Sequence, residues 1–424
     1  MKKGLALCGG GSLGVYELGA WEAFRELGMD FDILTGTSIG ALNSALYVQQ
    51  DFNKASELWK SMNMEKVMNK AFDIAEFNLK SIIKHEDFKT FLASYVKGFG
   101  GDIKPFKALI SEYLDCDKIR NSNKTFGVVV TTFPKGKKKE IVINDLSDEN
   151  MYNYILATAS CFPVFPTCKI DGKQYIDGGY VDNLPINFNF DLGADKVVAV
   201  DLKPILTHKE YSNHPNVEYI YPKWDLGSFL YFDPNHLERN KMLGYFDVLK
   251  HYNKYDGFRY TFNKTKSLNK LSNKLLKELT EDLIYFQNNK KKSYIKKEGC
   301  SNVFDYLNLH IKGKPTSYDY FLKCIEEVAF TANVSPKKVY DIEEFIEIVL
   351  IEIEKNKDYT VGEKYVLLEN DAKRREFIKD IDKKTFTNFL RSVKLDYNFR
   401  MLLLQSNVEL YLSLVIITLL KKNK

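Results

Sequence analysis

Two glycine-built turns near the N-terminus hold residues whose types and spacing could do acyl chemistry. Gly36-Thr37-Ser38-Ile39-Gly40 matches G-x-S-x-G, the elbow in which flanking glycines let a strained turn push a serine hydroxyl out of the backbone. Earlier in the chain, Gly9-Gly10-Gly11-Ser12-Leu13-Gly14 offers backbone N–H groups with no side chains to block an approaching oxyanion. Each turn follows a short apolar run and precedes a helical pattern, so each reads as a strand–turn–helix junction. A lone G-x-S-x-G also occurs in ordinary tight turns; the glycine-rich junction before it gives it weight. A serine hydroxyl is a poor nucleophile until a base takes its proton. The base this sequence offers is Asp177, in Asp177-Gly178-Gly179. It ends a hairpin pattern, Cys168–Ile170 and Gln174–Ile176 around Asp171-Gly172, and its two glycines allow close approach to a neighbouring loop. Taken singly, an Asp-Gly pair is only a turn.

These residues need elements to position them. Leu5–Cys8 reads as an apolar strand, and Val15 to Leu27 has helical spacing through Val15, Leu18, Trp21 and Phe24, with Gly28 as a stop. Ile33–Leu34 leads into the elbow, and Ser38 to Val48 forms the helix behind it. Phe126–Phe133, Glu140–Asn144 and Lys196–Val200 read as further strands. Such alternation points to an α/β sheet covered by helices. Pro134-Lys135-Gly136 is a hairpin turn signal, which puts Lys135, Lys137, Lys138 and Lys139 at an exposed tip.

Near Gly257 the texture changes to Lys, Asn, Glu, Leu and Ile, with little glycine punctuation. Leu268–Phe286, Tyr340–Glu354 and Phe386–Leu404 read as amphipathic helices. The expected division is an acyl hydrolase domain over 1–258 and a mainly helical domain over 259–424. Leu410–Leu420 is the most apolar stretch, but as a helix it spans about 16 Å against a hydrocarbon core of roughly 30 Å. A buried terminal helix is the favoured reading, ahead of an interfacial or partner-binding one.

A length of 424 residues fits two domains, and a hydrophobic fraction of 45% is ample for a core. The formal charge of +5 is small and does not itself imply nucleic acid. The lysines cluster locally, at 135–139 and again at Lys290, Lys291, Lys292, Lys296 and Lys297. Such runs are usually solvated faces, yet they leave peripheral contact with an anionic membrane open. Six cysteines without a C-x-x-C pair fit reduced thiols in a cytoplasmic protein. The start Met1-Lys2-Lys3 before Leu5-Ala6-Leu7-Cys8 mimics a lipoprotein signal, but its apolar stretch is shorter than the roughly 7–15 residues such a core needs.

The combined order of motifs resembles the patatin-like phospholipase family over roughly residues 3–255. Gly9 to Gly14 is similar to that family's oxyanion-hole loop, and Gly36 to Gly40 to its nucleophile elbow. Ala159-Ser160-Cys161-Phe162-Pro163-Val164-Phe165-Pro166 resembles its proline-containing segment lining the site. Asp177-Gly178-Gly179-Tyr180-Val181-Asp182-Asn183-Leu184-Pro185 resembles the block carrying its second catalytic residue, and Phe232-Asp233-Pro234 with Gly244-Tyr245 its closing helices. The resemblance implies a three-layer α/β sheet and a Ser38–Asp177 dyad without histidine. It also implies an oxyanion hole from Gly9, Gly10, Gly11 and Ile39, and a lipid ester substrate, with no cofactor or metal. One position departs from the family pattern. Leu13 stands where the family usually carries Arg or Lys, which puts direct phosphate contact by this loop, though not the acyl chemistry, in doubt.

Three rivals remain. A Ser-Asp-His triad would draw on His208, His214, His236, His251 or His310, all after Asp177 but none in a recognisable catalytic block. A dinucleotide site at Gly9 to Gly14 lacks the acidic residue ending a second strand. A degenerate regulatory protein, acting through its C-terminal domain, is disfavoured by the intact Ser38, Asp177 and glycine turns, while a catalytically gated effector stays open as the alternative.

Overall fold

The computed structural model describes residues 1–68, 102–265, 268–288, 303–308, 314–355, 400, 403–404 and 407–422. Internal contacts divide the chain into two compact units, Met1–Tyr252 and Asn253–Lys424.

The first unit is a mixed α/β fold around an eight-stranded sheet flanked by helices. Its strands are β1 (Lys3–Leu7), β2 (Ile33–Gly36), β3 (Thr125–Phe133), β4 (Lys138–Val142), β5 (Cys168–Ile170), β6 (Lys173–Asp177), β7 (Lys196–Val200) and β8 (Val217–Ile220). They lie in the order β5-β6-β3-β2-β1-β7-β8, with β4 pairing β3. The run from β8 through β7, β1 and β2 to β3 is parallel. Strands of a parallel sheet are covered on both faces and so read as continuous apolar runs. This is why Leu5-Ala6-Leu7 and Val197 to Val200 are buried without alternation. The β4, β5 and β6 strands enter antiparallel.

The topology makes one unusual junction. Gly36 of β2 pairs with Val128 of β3, and Asp177 of β6 pairs with Val130 of the same strand. Ile141 and Lys139 of β4 occupy the other edge at those two positions. Thus β2 and β6 lie end to end along one edge of β3, meeting across Val129. The strand that leads into the elbow and the strand that ends at Asp177 converge there.

Helix α1 (Val15–Glu26) follows the first glycine turn and α2 (Ile39–Val48) follows the elbow. Every residue of α2 is buried, as expected of a helix apolar on all sides. Farther along, α3 (Asp148–Thr158) precedes the proline-containing segment, and α4 (Pro234–His251) packs on α1, where the Tyr16 hydroxyl donates to Asp247 at 2.9 Å. The 135–139 tip differs from a free cationic patch. Lys139 Nζ donates to Tyr154 and Tyr175 hydroxyls at 3.0 and 3.1 Å, and Lys138 pairs with Glu140 at 2.6 Å and Asp182 at 3.6 Å.

The second unit is mainly helical, with α5 (Asn269–Asn288), α6 (Val303–Asn308), α7 (Ser317–Thr331), α8 (Ile342–Lys355) and α9 (Val408–Lys422). Tyr340, read above as a helical start, instead pairs with Phe262 in a two-stranded parallel ladder, and the helix begins after it. The apolar C-terminal stretch is a core helix. In α9 the residues from Leu410 to Ile417 are all buried, and Tyr411 donates to Asp282 at 2.6 Å. Asp282 in turn pairs with Arg400, which also reaches Glu278. Among the described residues no helix is long and apolar enough to cross a membrane. The Lys290–Lys297 cluster and most of the expected Phe386–Leu404 helix lie outside the described residues.

Candidate active site

At the end of β2 the chain turns so tightly that Ser38 takes φ 55°, ψ −125°, a strained conformation for a residue with a side chain. The flanking glycines are needed for closeness. A Cβ on Gly36 would stand 2.5 Å from the Gly40 carbonyl group, and one on Gly40 2.5 Å from the Leu7 carbonyl oxygen. The Ser38 N–H donates to the Thr158 hydroxyl at 3.0 Å, and Thr37 Oγ1 donates to the Asp182 carbonyl at 2.8 Å. These bonds anchor the elbow to the end of α3 and to the loop after β6.

Asp177 arrives from the last position of β6. Its N–H donates to the Ser160 carbonyl at 2.9 Å, and its own carbonyl accepts the Thr131 hydroxyl at 2.8 Å. Its carboxylate accepts the Gly179 N–H at 2.7 Å. Burial pushes the Asp177 carboxyl up to about 6, against the opposing pull of hydrogen bonds from the Gly179 N–H and the Ser38 side chain. Desolvation disfavours the charged form, so a carboxylate that is normally a feeble base becomes a better one near neutrality.

Ser38, Asp177, Gly9, Gly10, Gly11, Ile39 and Gly179 line one cleft of about 980 Å³. Gly14, Gly36, Gly40 and Gly178 are buried behind it. Much of the remaining wall is apolar, including Leu13, Met62, Phe106, Val164, Phe165 and Leu230. Among the described residues no protein acceptor takes the N–H groups of Gly10, Gly11 and Ile39. Gly9 differs from them. Its N–H donates to the Asn183 carbonyl at 3.0 Å while Asn183 Nδ2 donates back to Gly9 at 2.9 Å. Gly9 therefore fixes the loop and has no free donor, because the loop must be tied to the Asp177 block.

None of the described histidines lines this cleft. His208 sits 3.4 Å from Asp182 and 2.9 Å from Glu210, and His236 Nε2 meets the Leu226 carbonyl at 2.6 Å. Sequence reading missed Thr158, which carries the Ser38 N–H, and Asn183, which carries Gly9. Asn183 lies within the Asp177 to Pro185 block, but no spacing signal marks Thr158. It also missed Lys203 and Asp225 in the lining.

The chain is similar to Lysophospholipase nte1 of Aspergillus terreus, 28% identical over 211 residues, which are 48% of this chain and 12% of that protein. Lysophospholipase NTE1 of Coccidioides immitis is also 28% identical, with the same coverage of 48% and 12%. The match thus spans about an eighth of these curated relatives, 12% of their length. Among solved structures, VipD from Legionella pneumophila superposes with a TM-score of 0.39 at 16% identity, over 97% of this chain and 92% of that one. A model of the patatin-like phospholipase family matches residues 5–188, a stretch that holds both glycine junctions, the end of β1, β2 to β6 and the Asp177 block. Residues 5–188 of this chain form a patatin-like phospholipase domain.

Proposed function

We propose that the chain is a serine acyl hydrolase that cleaves fatty-acyl esters of phospholipids or lysophospholipids. In this reading Ser38 Oγ attacks the ester carbonyl as its proton passes to the Asp177 carboxylate. The tetrahedral oxyanion rests on the N–H groups of Gly10, Gly11 and Ile39. Collapse expels the alcohol, which takes the proton from Asp177, and leaves an acyl-serine. Water then gives a proton to Asp177 as it attacks the acyl carbon, and collapse releases the fatty acid while Asp177 returns that proton to Ser38 Oγ.

The observation that carries this reading is that a strained Ser38 and a buried Asp177 line one cleft, the carboxyl raised to about 6 by burial. A carboxylate acting alone as base gains from such a shift, since the best catalytic pKa lies near the working pH. The absence of a described histidine from the lining supports a dyad over a triad, and the apolar walls suit an acyl chain. The lysophospholipase relatives, at 28% identity over 48% of the chain, favour a lipid ester as substrate. The test is release of free fatty acid from a lysophospholipid by the purified full chain and by Ser38→Ala. Release that persists in Ser38→Ala would sink the assignment.

A further inference from the structure

Besides Asp177, the described residues of the cleft lining include two charged side chains, Lys203 and Asp225, both exposed. Lys203 is placed with care. Leu202 packs on the oxyanion loop, its Cδ1 lying 2.8 Å from where a Cβ on Gly10 would sit. The N–H groups of Leu202 and Lys203 both donate to Asp201 Oδ1, at 2.8 and 3.2 Å. Asp201 is itself buried and further held by the Thr207 N–H at 2.7 Å and the Tyr219 hydroxyl at 2.9 Å. A fixed backbone beside Gly10 therefore projects a flexible ammonium at the cleft. No carboxylate pairs with Lys203 Nζ among the described residues.

Asp225 is anchored in the same manner. Its Oδ1 accepts the Gly227 N–H at 2.8 Å, and its carbonyl accepts Arg239 Nη1 at 3.1 Å. Among the described residues no donor meets its second carboxylate oxygen. Among the described residues the cleft thus carries one cation and one anion apart from Asp177, while the loop position expected to be basic is Leu13.

We propose that Lys203 and Asp225 together recognise a zwitterionic phosphodiester headgroup, Lys203 taking the phosphate and Asp225 the terminal ammonium. This rests on the reading of Ser38 as the nucleophile. In a glycerophospholipid the phosphate is separated from the scissile ester only by the glycerol unit. A lysine on a four-carbon stem, one residue beyond the side chain packed on Gly10, suits that separation. Charge-assisted contacts of this kind are stronger than neutral ones.

The experiment compares kcat/KM of the full chain on lysophosphatidylcholine, lysophosphatidylglycerol and monoacylglycerol of one acyl length. Lys203→Met should lower the ratio of either phospholipid to monoacylglycerol about tenfold, mainly through KM, and Lys203→Arg should restore most of it. Asp225→Asn, which can still accept the Gly227 N–H, should lower the ratio about threefold for the choline lipid alone. A Lys203→Met ratio within about twofold of the native one overturns the proposal. So does an Asp225→Asn loss shared equally by all three lipids. If the native chain hydrolyses none of them, the Ser38 reading fails, and the headgroup site is judged by binding. An ether-linked lysophosphatidylcholine, which has no ester, should then bind Lys203→Met about tenfold more weakly than native. Equal binding overturns the site as well.

Discussion

Ser38 and Thr158 are joined by a hydrogen bond from the Ser38 N–H to Thr158 Oγ1 at 3.0 Å, while that same hydroxyl donates to the Val129 carbonyl. One side chain at the end of α3 therefore satisfies the strained elbow and the point on β3 where β2 and β6 meet. Thr158 and Val129 are both buried, so water does not readily stand in for the bridging hydroxyl. Thr158→Val should cost about 1–3 kcal/mol of stability, the usual penalty for orphaned buried groups. It should also lower kcat, and Thr158→Ser should recover both. Thermal melts with esterase kinetics check this; an unaltered Thr158→Val would mean the elbow holds itself.

Asp177→Asn is nearly isosteric and keeps an acceptor for the Gly179 N–H. Ester hydrolysis should nonetheless fall roughly 10³-fold or more, as it should in Ser38→Ala, because in the proposed mechanism base and nucleophile act as one unit. Near-full activity in Asp177→Asn would transfer the role of base elsewhere.

Activity should depend on acid. With the Asp177 carboxyl raised to about 6 by burial, kcat/KM should rise with pH through about 6 and then level off. A flat profile between pH 5 and 8 would show that this carboxyl does not titrate in the reaction.

The same shift predicts the sign of a stability effect. The folded carboxyl holds its proton more tightly than the ordinary value of 3.8. Its contribution to stability is therefore fully present below 3.8 and is lost as pH rises through about 6. At pH 8 Asp177→Asn should be more stable than native by about 3 kcal/mol, narrowing toward pH 4. Paired denaturant melts at the two pH values measure it, and a reversed trend would contradict the burial of a charge at this site.

In the second unit Tyr411 of α9 donates to Asp282, which Arg400 also engages. Tyr411→Phe should destabilise that unit by about 1–2 kcal/mol, and a chain ending at Asn407 should lose its cooperative melt, since the residues from Leu410 to Ile417 are all buried. Circular dichroism of the full chain and the truncation decides. A truncated protein that stays monodisperse and equally helical would mean α9 is dispensable.

Local chemistry made much of this protein legible from sequence. Glycine spacing at Gly9 to Gly14 and Gly36 to Gly40 marks strand–turn–helix junctions, because few other residues tolerate such turns, and apolar runs such as Lys196–Val200 mark buried parallel strands. The hairpin pattern around Asp171-Gly172 likewise put Asp177 at a strand end. What local pattern could not contain is which edge each strand joins. Only the folded sheet sets β2 and β6 end to end against β3, bringing Ser38 beside Asp177 across 139 residues of chain. Only packing decided that Gly9 gives its N–H to Asn183, that Thr158 supports the elbow, and that Lys203 and Asp225 share the cleft. Contacts between residues so distant in sequence leave no periodicity or spacing, since each residue serves a neighbour that local structure does not choose.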